Sequence, residues 1–456
     1  MNASSSQFSR LLPRRLGLLC AALLSLMAQP SLAAPAIAHW LTDSGARVFF
    51  VENHSLPMLD VQIDFAAGTA YDSPNKAGVA ALTRSLLELG SAGLDEQQLG
   101  EQLADLGAQL AGGVDMDRAT LALRTLSMPD KRQPALALLH KVLSRPRFAE
   151  PIFAREQARS LASLKEALTR PETIAGQAFW RALYGTHPYA QQATPDSLSQ
   201  LNRADLLAFY QQHYRARAAT VSIVGDLQRA EAELLAQQLT ADLPPGAAPS
   251  PLPSSIPEQS SSSDQASDQT HELRIAHPAA QAHLLIGLPA IARGDADFFP
   301  LLVGNYILGG GGFSSRLMQE VRDKRGFAYS VYSYFHPLAA PGPFQIGLQT
   351  KKSQANDALQ LTRQVLADFL REGPSKSELK AAQQYLTGSF PLRLDSNRKI
   401  LENVAVIGFY QLPLDYLERY TGQIEQVTGA DIRAAFARHV QPEKLITVVV
   451  GAEAKE

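Results

Sequence analysis

Two stretches decide how the rest of this chain is read: LNRADLLAFYQQHYRARAATVSIVGD, residues 201–226, and VTGADIRAAFARHVQPEKLITVVVGA, residues 427–452. Laid on one another without a gap they share Ala204/Ala430, Asp205/Asp431, Ala208/Ala434, His213/His439, Val224/Val450 and Gly225/Gly451, at a constant offset of 226. Leu206/Ile432 and Tyr210/Phe436 are similar pairs. In each copy an Asp opens a helical period. The helix leads into an unbroken apolar run, Ala219–Val224 or Leu445–Val450, closed by Gly, which is the pattern of a buried strand. Identities held in one register over a whole helix–strand unit point to internal duplication.

Between the copies, 14 of the 27 residues from Pro244 to Thr270 are Pro or Ser, and none is aromatic. Such a composition reads as an extended linker, because it offers little apolar area against its ordering entropy. The chain therefore divides into 35–243, a joint at 244–270, and 271–456. In the first half Arg47–Val51 and Leu59–Ala66 read as strands, with Pro57 suiting a hairpin between them. Helices are predicted at about 76–90, 95–107, 130–144, 151–169 and 173–183. The second half follows the scheme: a strand at 283–288, helices at 296–308 and 314–324, strands near 327–335 and 343–350, and helices from 353 to 437. Interleaved in this way, the elements predict an α+β fold of two homologous domains, each a mixed or antiparallel sheet with helices packed on one face.

Composition narrows the function. With 456 residues, 45% hydrophobic and 19% charged, the chain is globular, and its formal charge of −2 lacks the basic excess of a nucleic-acid binder. Its single cysteine, Cys20, excludes an internal disulfide and a thiolate zinc cluster. Residues 1–34 have a basic start (Arg10, Arg14, Arg15), an apolar core (Leu16–Met27) and a Ser31-Leu32-Ala33 end, the pattern of a secretory signal peptide. No later stretch is apolar enough for a membrane span. A periplasmic or secreted location is expected.

Val51-Glu52-Asn53-His54-Ser55-Leu56-Pro57, Ala66-Ala67-Gly68-Thr69-Ala70-Tyr71-Asp72 and Lys76-Ala77-Gly78-Val79-Ala80 resemble the opening of the insulinase/pitrilysin-type zinc peptidases. The resemblance implies a clamshell of two such domains and a next helix bearing H-x-x-E-H. In that motif two histidines bind zinc and the glutamate polarises the attacking water, with a further Glu ligand roughly 76 residues on. Here the matching positions hold Ala81, Arg84 and Ser85, on a helix whose stripe is Val79, Leu82, Leu86 and Leu89. Near the expected distal ligand stand Leu161, Ala162 and Ser163, flanked by Glu156 and Glu166. A methyl and a hydroxyl cannot replace imidazole lone pairs, and a guanidinium repels a dication, so no metal is expected in this chain. Neither Ser377-x-x-Lys380 nor Ser396-x-x-Lys399 has the companion motifs of a nucleophile site. Glycines 309–312 lack the Lys and Ser/Thr of a phosphate loop.

Leu308-Gly309-Gly310-Gly311-Gly312-Phe313-Ser314-Ser315-Arg316-Leu317 and Glu320-Val321-Arg322-Asp323-Lys324-Arg325-Gly326-Phe327-Ala328-Tyr329-Ser330 resemble the family's C-terminal domain. By that resemblance Arg322 and Tyr329 contact the substrate peptide, with Arg325 the competitor for the first role. The glycines, free in backbone angle, read as a solvated loop or a flexible gate, the gate being favoured. The whole pattern resembles the non-metal-binding subunit of a heteromeric zinc metalloendopeptidase. Its partner would be a homologous zinc-bearing subunit, its substrates peptides, and zinc would be absent from this chain. The alternative is a catalytically inactive peptide-binding or scaffold homologue.

Overall fold

The computed structural model describes residues 35–91, 93–257 and 271–451. The leader at 1–34 and the later part of the joint, 258–270, lie outside the described residues. The first sheet takes β1 (Ala38–Leu41), β2 (Arg47–Glu52), β3 (Met58–Phe65), β4 (Gln109–Val114), β5 (Ala119–Leu126) and β6 (Ala219–Gly225), in the order β1-β2-β6-β3-β5-β4. The second takes β7 (Glu272–Ile275), β8 (Gln281–Ile291), β9 (Ala328–Phe335), β10 (Gly342–Lys351) and β11 (Ile446–Val450), in the order β9-β10-β8-β11-β7. In the first, β2 and β6 are parallel; in the second, β11 and β7 are. The remaining pairs are antiparallel. Apart from β1, the two sheets have one topology, as duplication demands.

β6 and β11, the closing strands of the two repeats, are buried along their whole lengths. A strand without a polar face belongs inside a sheet, and both occupy interior positions. This overturns the hairpin expected around Pro57. β2 and β3 are not neighbours, because β6 inserts between them, pairing Val51 with Val224 on one side and Val61 with Ile223 on the other. The sequence pattern also passes over the β4–β5 hairpin. β5 alternates inward Ala119, Leu121, Leu123 and Thr125 with half-exposed Thr120, Ala122, Arg124 and Leu126, but its small and polar residues dilute the apolar period.

The helices are α1 (Val79–Leu87), α2 (Glu96–Asp105), α3 (Pro129–Ser144), α4 (Glu150–Ala167), α5 (Pro171–Tyr184), α6 (Pro195–Gln200), α7 (Arg203–His213) and α8 (Arg229–Thr240) in the first half. The second has α9 (Phe298–Asn305), α10 (Ala355–Glu372), α11 (Lys376–Gly388), α12 (Asn397–Phe409), α13 (Tyr416–Gln426) and α14 (Gly429–His439). α7 and α14 start alike, through capping boxes of Asn202 with Asp205 and Thr428 with Asp431. They end alike too: His213 Nδ1 lies 3.0 Å from the Ala66 carbonyl and His439 Nδ1 2.9 Å from that of Ala290.

One face of the first sheet (Val48, Phe50, Leu59, Val61, Ile63) packs with residues of α1, α3, α7 and α8 in one core. Its other face is closed by a helix from the opposite half: Phe49, Val51 and Val224 cluster with Ile400, Leu401 and Val404 of α12. Reciprocally, α5 lays Ala175, Phe179 and Leu183 on Ile446, Val448 and Val450 of the second sheet. Phe179 fits because position 287 is glycine; a Cβ there would stand 2.9 Å from its ring. α5 and α12 begin at Pro171 and Asn397, the same offset of 226. Equivalent helices are thus exchanged between the halves. The described part of the joint, 244–257, has no helix or strand, yet it is held down. Leu252 and Ile256 pack against the α5 cluster, the Pro253 carbonyl lies 2.9 Å from His187 Nε2, and Arg215 donates to the Ala247 carbonyl at 3.0 Å.

Candidate functional site

α1 is a well-formed helix at the zinc-motif position. Gly78, at φ 106°, turns the chain into it, and the buried Asp72 carboxylate accepts the Gly78 and Ala80 amides at 2.6 and 2.8 Å. Val79, Leu82 and Leu86 are buried and Leu89 is half-buried. Of the three motif positions, Ala81 is exposed, Ser85 is half-exposed, and Arg84 is buried at 4% exposure. The Arg84 guanidinium does not project into an open site. Its Nε donates to the Thr120 carbonyl, while Nη2 donates to the Ala111 carbonyl at 3.0 Å and to Glu88 at 2.6 Å. Gly112, at φ 138°, makes the room: a Cβ would fall 2.4 Å from Arg84 Nη2 and 2.0 Å from the Thr120 carbonyl oxygen. Arg84 therefore ties α1 to the β4–β5 hairpin.

α4 packs against α1 and brings no ligand. Leu161, Ala162 and Ser163 have no lone pair suited to zinc, Glu166 is exposed, and Glu156, buried at 2%, is clamped by Arg155 at 2.9 Å and Arg159 at 2.5 Å. A zinc site needs three or four N, O or S donors around one point; a methyl, a hydroxyl and a committed guanidinium do not fit the ion. Elsewhere among the described residues, Asp295, Asp297 and His439 come within ligand range of one another. There Arg438 grips Asp297 with both nitrogens, at 2.6 and 2.8 Å, and His439 repeats the structural bond of His213.

The second half assembles a different group. Arg322 lies on the π-helical turn Met318–Asp323, which Gly326 ends at φ 64°. The chain then enters β9, where Ala328 faces Thr350 and Ser330 faces Gln349, leaving Tyr329 as the extra residue of a β-bulge. A bulge re-aims a side chain out of the ladder, and Tyr329 is 85% exposed. Arg322 Cζ lies 5.6 Å from the Tyr329 ring centroid and 4.8 Å from that of Phe313, itself 67% exposed. Its one ion-pair contact among the described residues is Asp323, at 3.3 Å. Arg322, then, is the arginine that meets Tyr329; Arg325 is exposed at the turn. Phe313 is the member that sequence reasoning missed. The available signal was an aromatic residue set between a glycine run and Ser314-Ser315-Arg316.

Three of the four glycines are closely packed, against the gate expected of the run, while Gly312, at φ 58°, has open space where a Cβ would stand. Tyr306–Gly310 continues α9 as a π turn. A Cβ at Gly309 would lie 2.4 Å from Ser333 Oγ, one at Gly310 2.7 Å from Asn305 Nδ2, and one at Gly311 2.6 Å from the Tyr306 carbonyl. Asn305 and Ser333, buried and doubly hydrogen-bonded at 2.7 and 3.0 Å, pin this turn to β9. These glycines serve close approach rather than mobility. The two Ser-x-x-Lys pairs are helix starts: Ser375 caps α11, within which Ser377 lies, and Ser396 caps α12. Lys399 is spent on Asp395 and the Leu392 carbonyl. The zinc-motif positions and the Arg322–Tyr329 pair lie in opposite halves, and no hydrogen bond, ion pair or ring contact joins them among the described residues.

Residues 47–195 match the family model described as Insulinase (Peptidase family M16), and residues 200–386 match Peptidase M16 inactive domain. A solved structure described as peptidase M16 inactive domain, from Pseudomonas fluorescens, is 37% identical, with 92% of this chain and 98% of that one covered at a TM-score of 0.85. The non-peptidase homolog YmxG of Helicobacter pylori is 26% identical over 437 residues, 93% of this chain and 96% of its own. An uncharacterized zinc protease of Bacillus subtilis, also called YmxG, is 22% identical over 370 residues, 80% of this chain and 87% of its own. The chain belongs to the M16, or insulinase, family of peptidases, and proteins described as inactive-domain and non-peptidase homologues are among those it is similar to.

Proposed function

We propose that this chain is the non-metal, substrate-contacting subunit of a heteromeric M16 metalloendopeptidase acting on peptides outside the cytosol. A homologous partner would supply H-x-x-E-H, the distal Glu and the zinc. One observation carries the reading: a bulge holds Tyr329 out of its sheet in front of Arg322, whereas the arginine at the zinc-motif position is absorbed into the fold. Together the pair offers five guanidinium N–H donors and one phenolic O–H, suited to holding peptide carbonyls and an oxygen that gains negative charge. Export rests on the leader pattern of residues 1–34.

The test is turnover by the complex reconstituted with a zinc-bearing homologue. Arg322→Ala and Tyr329→Phe should each lower kcat/KM by roughly a hundredfold, about 3 kcal/mol for one donor to a developing oxyanion, with assembly intact by gel filtration. Wild-type rates from both folded variants would remove the pair from the reaction. Peptide binding by this chain without any stimulation of a zinc-bearing homologue would favour the scaffold alternative.

A further inference from the structure

A cavity of about 440 Å³ opens between α9, α12 and α13 and shares no residue with the Arg322–Tyr329 group. Phe298, Tyr416 and Tyr420 wall it, and three cations, Arg293, Arg393 and Lys399, line it against one carboxylate, Glu402. Lys399 is already paired with Asp395 at 2.8 Å. The arginines are not neutralised in this way. Arg393 donates only to the Tyr420 hydroxyl, at 3.2 Å, and Arg293 stacks its guanidinium 5.3 Å from the Tyr410 ring; neither has an ion pair among the described residues. Moreover, Arg293 Nε is buried and has no acceptor. A buried donor left in this state is unfavourable, and Arg293 is among the residues that line the cavity. Burial pushes the Tyr416 hydroxyl far above its ordinary value while Arg293 and Arg393 both pull against that push, so both charges bear on one wall of the cavity.

Aromatic walls bury an apolar body, and guanidinium forks match a carboxylate. We propose that this cavity binds a small organic anion. The ligand class is a carboxylate on an aromatic or branched apolar body, such as the free C-terminal residue of a short peptide, with Arg293 and Arg393 on the carboxylate. The assignment stands independently of the function proposed above.

Isothermal titration calorimetry of the purified chain with N-acetyl-alanyl-phenylalanine, its C-terminal amide and inorganic phosphate tests it. The free acid should bind. The amide should bind at least tenfold more weakly, and Arg293→Gln or Arg393→Gln should weaken the acid by a similar factor. Arg393 is exposed, so its variant keeps the test valid should the Arg293 variant fail to fold. Equal binding of acid and amide, phosphate binding as tightly as the peptide acid, unchanged affinity in both arginine variants, or no binding to the wild type would each overturn the proposal.

Discussion

Arg84 stands where the family motif has its glutamate, and its surroundings have been rebuilt around a cation. It satisfies two main-chain carbonyls of the β4–β5 hairpin, Thr120 and Ala111, and meets Glu88 one turn along the helix. Gly112 supplies the missing volume. Arg84→Met should take a charged donor away from both carbonyls in a buried setting and cost about 2–4 kcal/mol, read as a lower urea midpoint with an unchanged slope. Stability within 0.5 kcal/mol of wild type, roughly what a neutral surface change gives, would show that Arg84 is dispensable to the fold. From sequence one could see that the zinc donors were missing. That the replacement had become a structural tie was not visible, because its carbonyl partners lie 27 and 36 residues away.

At the scale of elements, the turn bearing Arg322 is anchored from outside itself. Arg316, at its start, grips Glu378 of α11 with two hydrogen bonds, at 2.7 and 2.8 Å, and the Gly373 carbonyl at 2.9 Å. Glu378 also closes the capping box with Ser375. The Arg316 guanidinium beside it brings the Glu378 carboxyl down to about 2 from its ordinary 4.5. A carboxyl depressed in the folded state adds stability that is full above pH 4.5 and is lost as pH falls toward about 2. The urea midpoint of wild type should therefore exceed that of Glu378→Gln near neutrality, with the gap narrowing across that acid window. A gap independent of pH would mean that packing, not charge, makes the contact. The helices themselves were largely legible from periodicity and caps; the order of strands was not, since pairing β2 and β3 with β6 depends on a segment more than 150 residues distant.

For the molecule as a whole, the joining contact is a buried carboxylate. Asp117, 1% exposed in the β4–β5 turn, accepts the hydroxyls of Tyr189 and Tyr410 and the Ala339 amide, while the Ala340 amide donates to Tyr189. Burial and the Asp117 charge push both phenols far above their ordinary range, so they remain protonated donors. The cluster draws on both halves, beside the exchanged helices α5 and α12. Asp117→Ala should cost about 3–5 kcal/mol by stranding these donors, and the Ala339 and Ala340 amides should exchange hydrogen faster. Unchanged exchange at 339–340 would show that Asp117 does not hold that segment against the first half.

By itself the sequence determined that the chain is built from two related α+β halves, where their central strands and most helices fall, and that Ala81, Arg84 and Ser85 lack zinc donors while Arg322 and Tyr329 stand seven residues apart. Those are local facts, carried by apolar period, capping residues and the identity of single side chains. Only the tertiary structure decided that β6 separates β2 from β3, that α5 and α12 are exchanged, that Gly309, Gly310 and Gly311 are closely packed, and that a bulge turns Tyr329 outward onto Arg322. Each of those depends on which distant surfaces meet, and partner choice is set by the burial of the assembled molecule, which no short window of sequence contains.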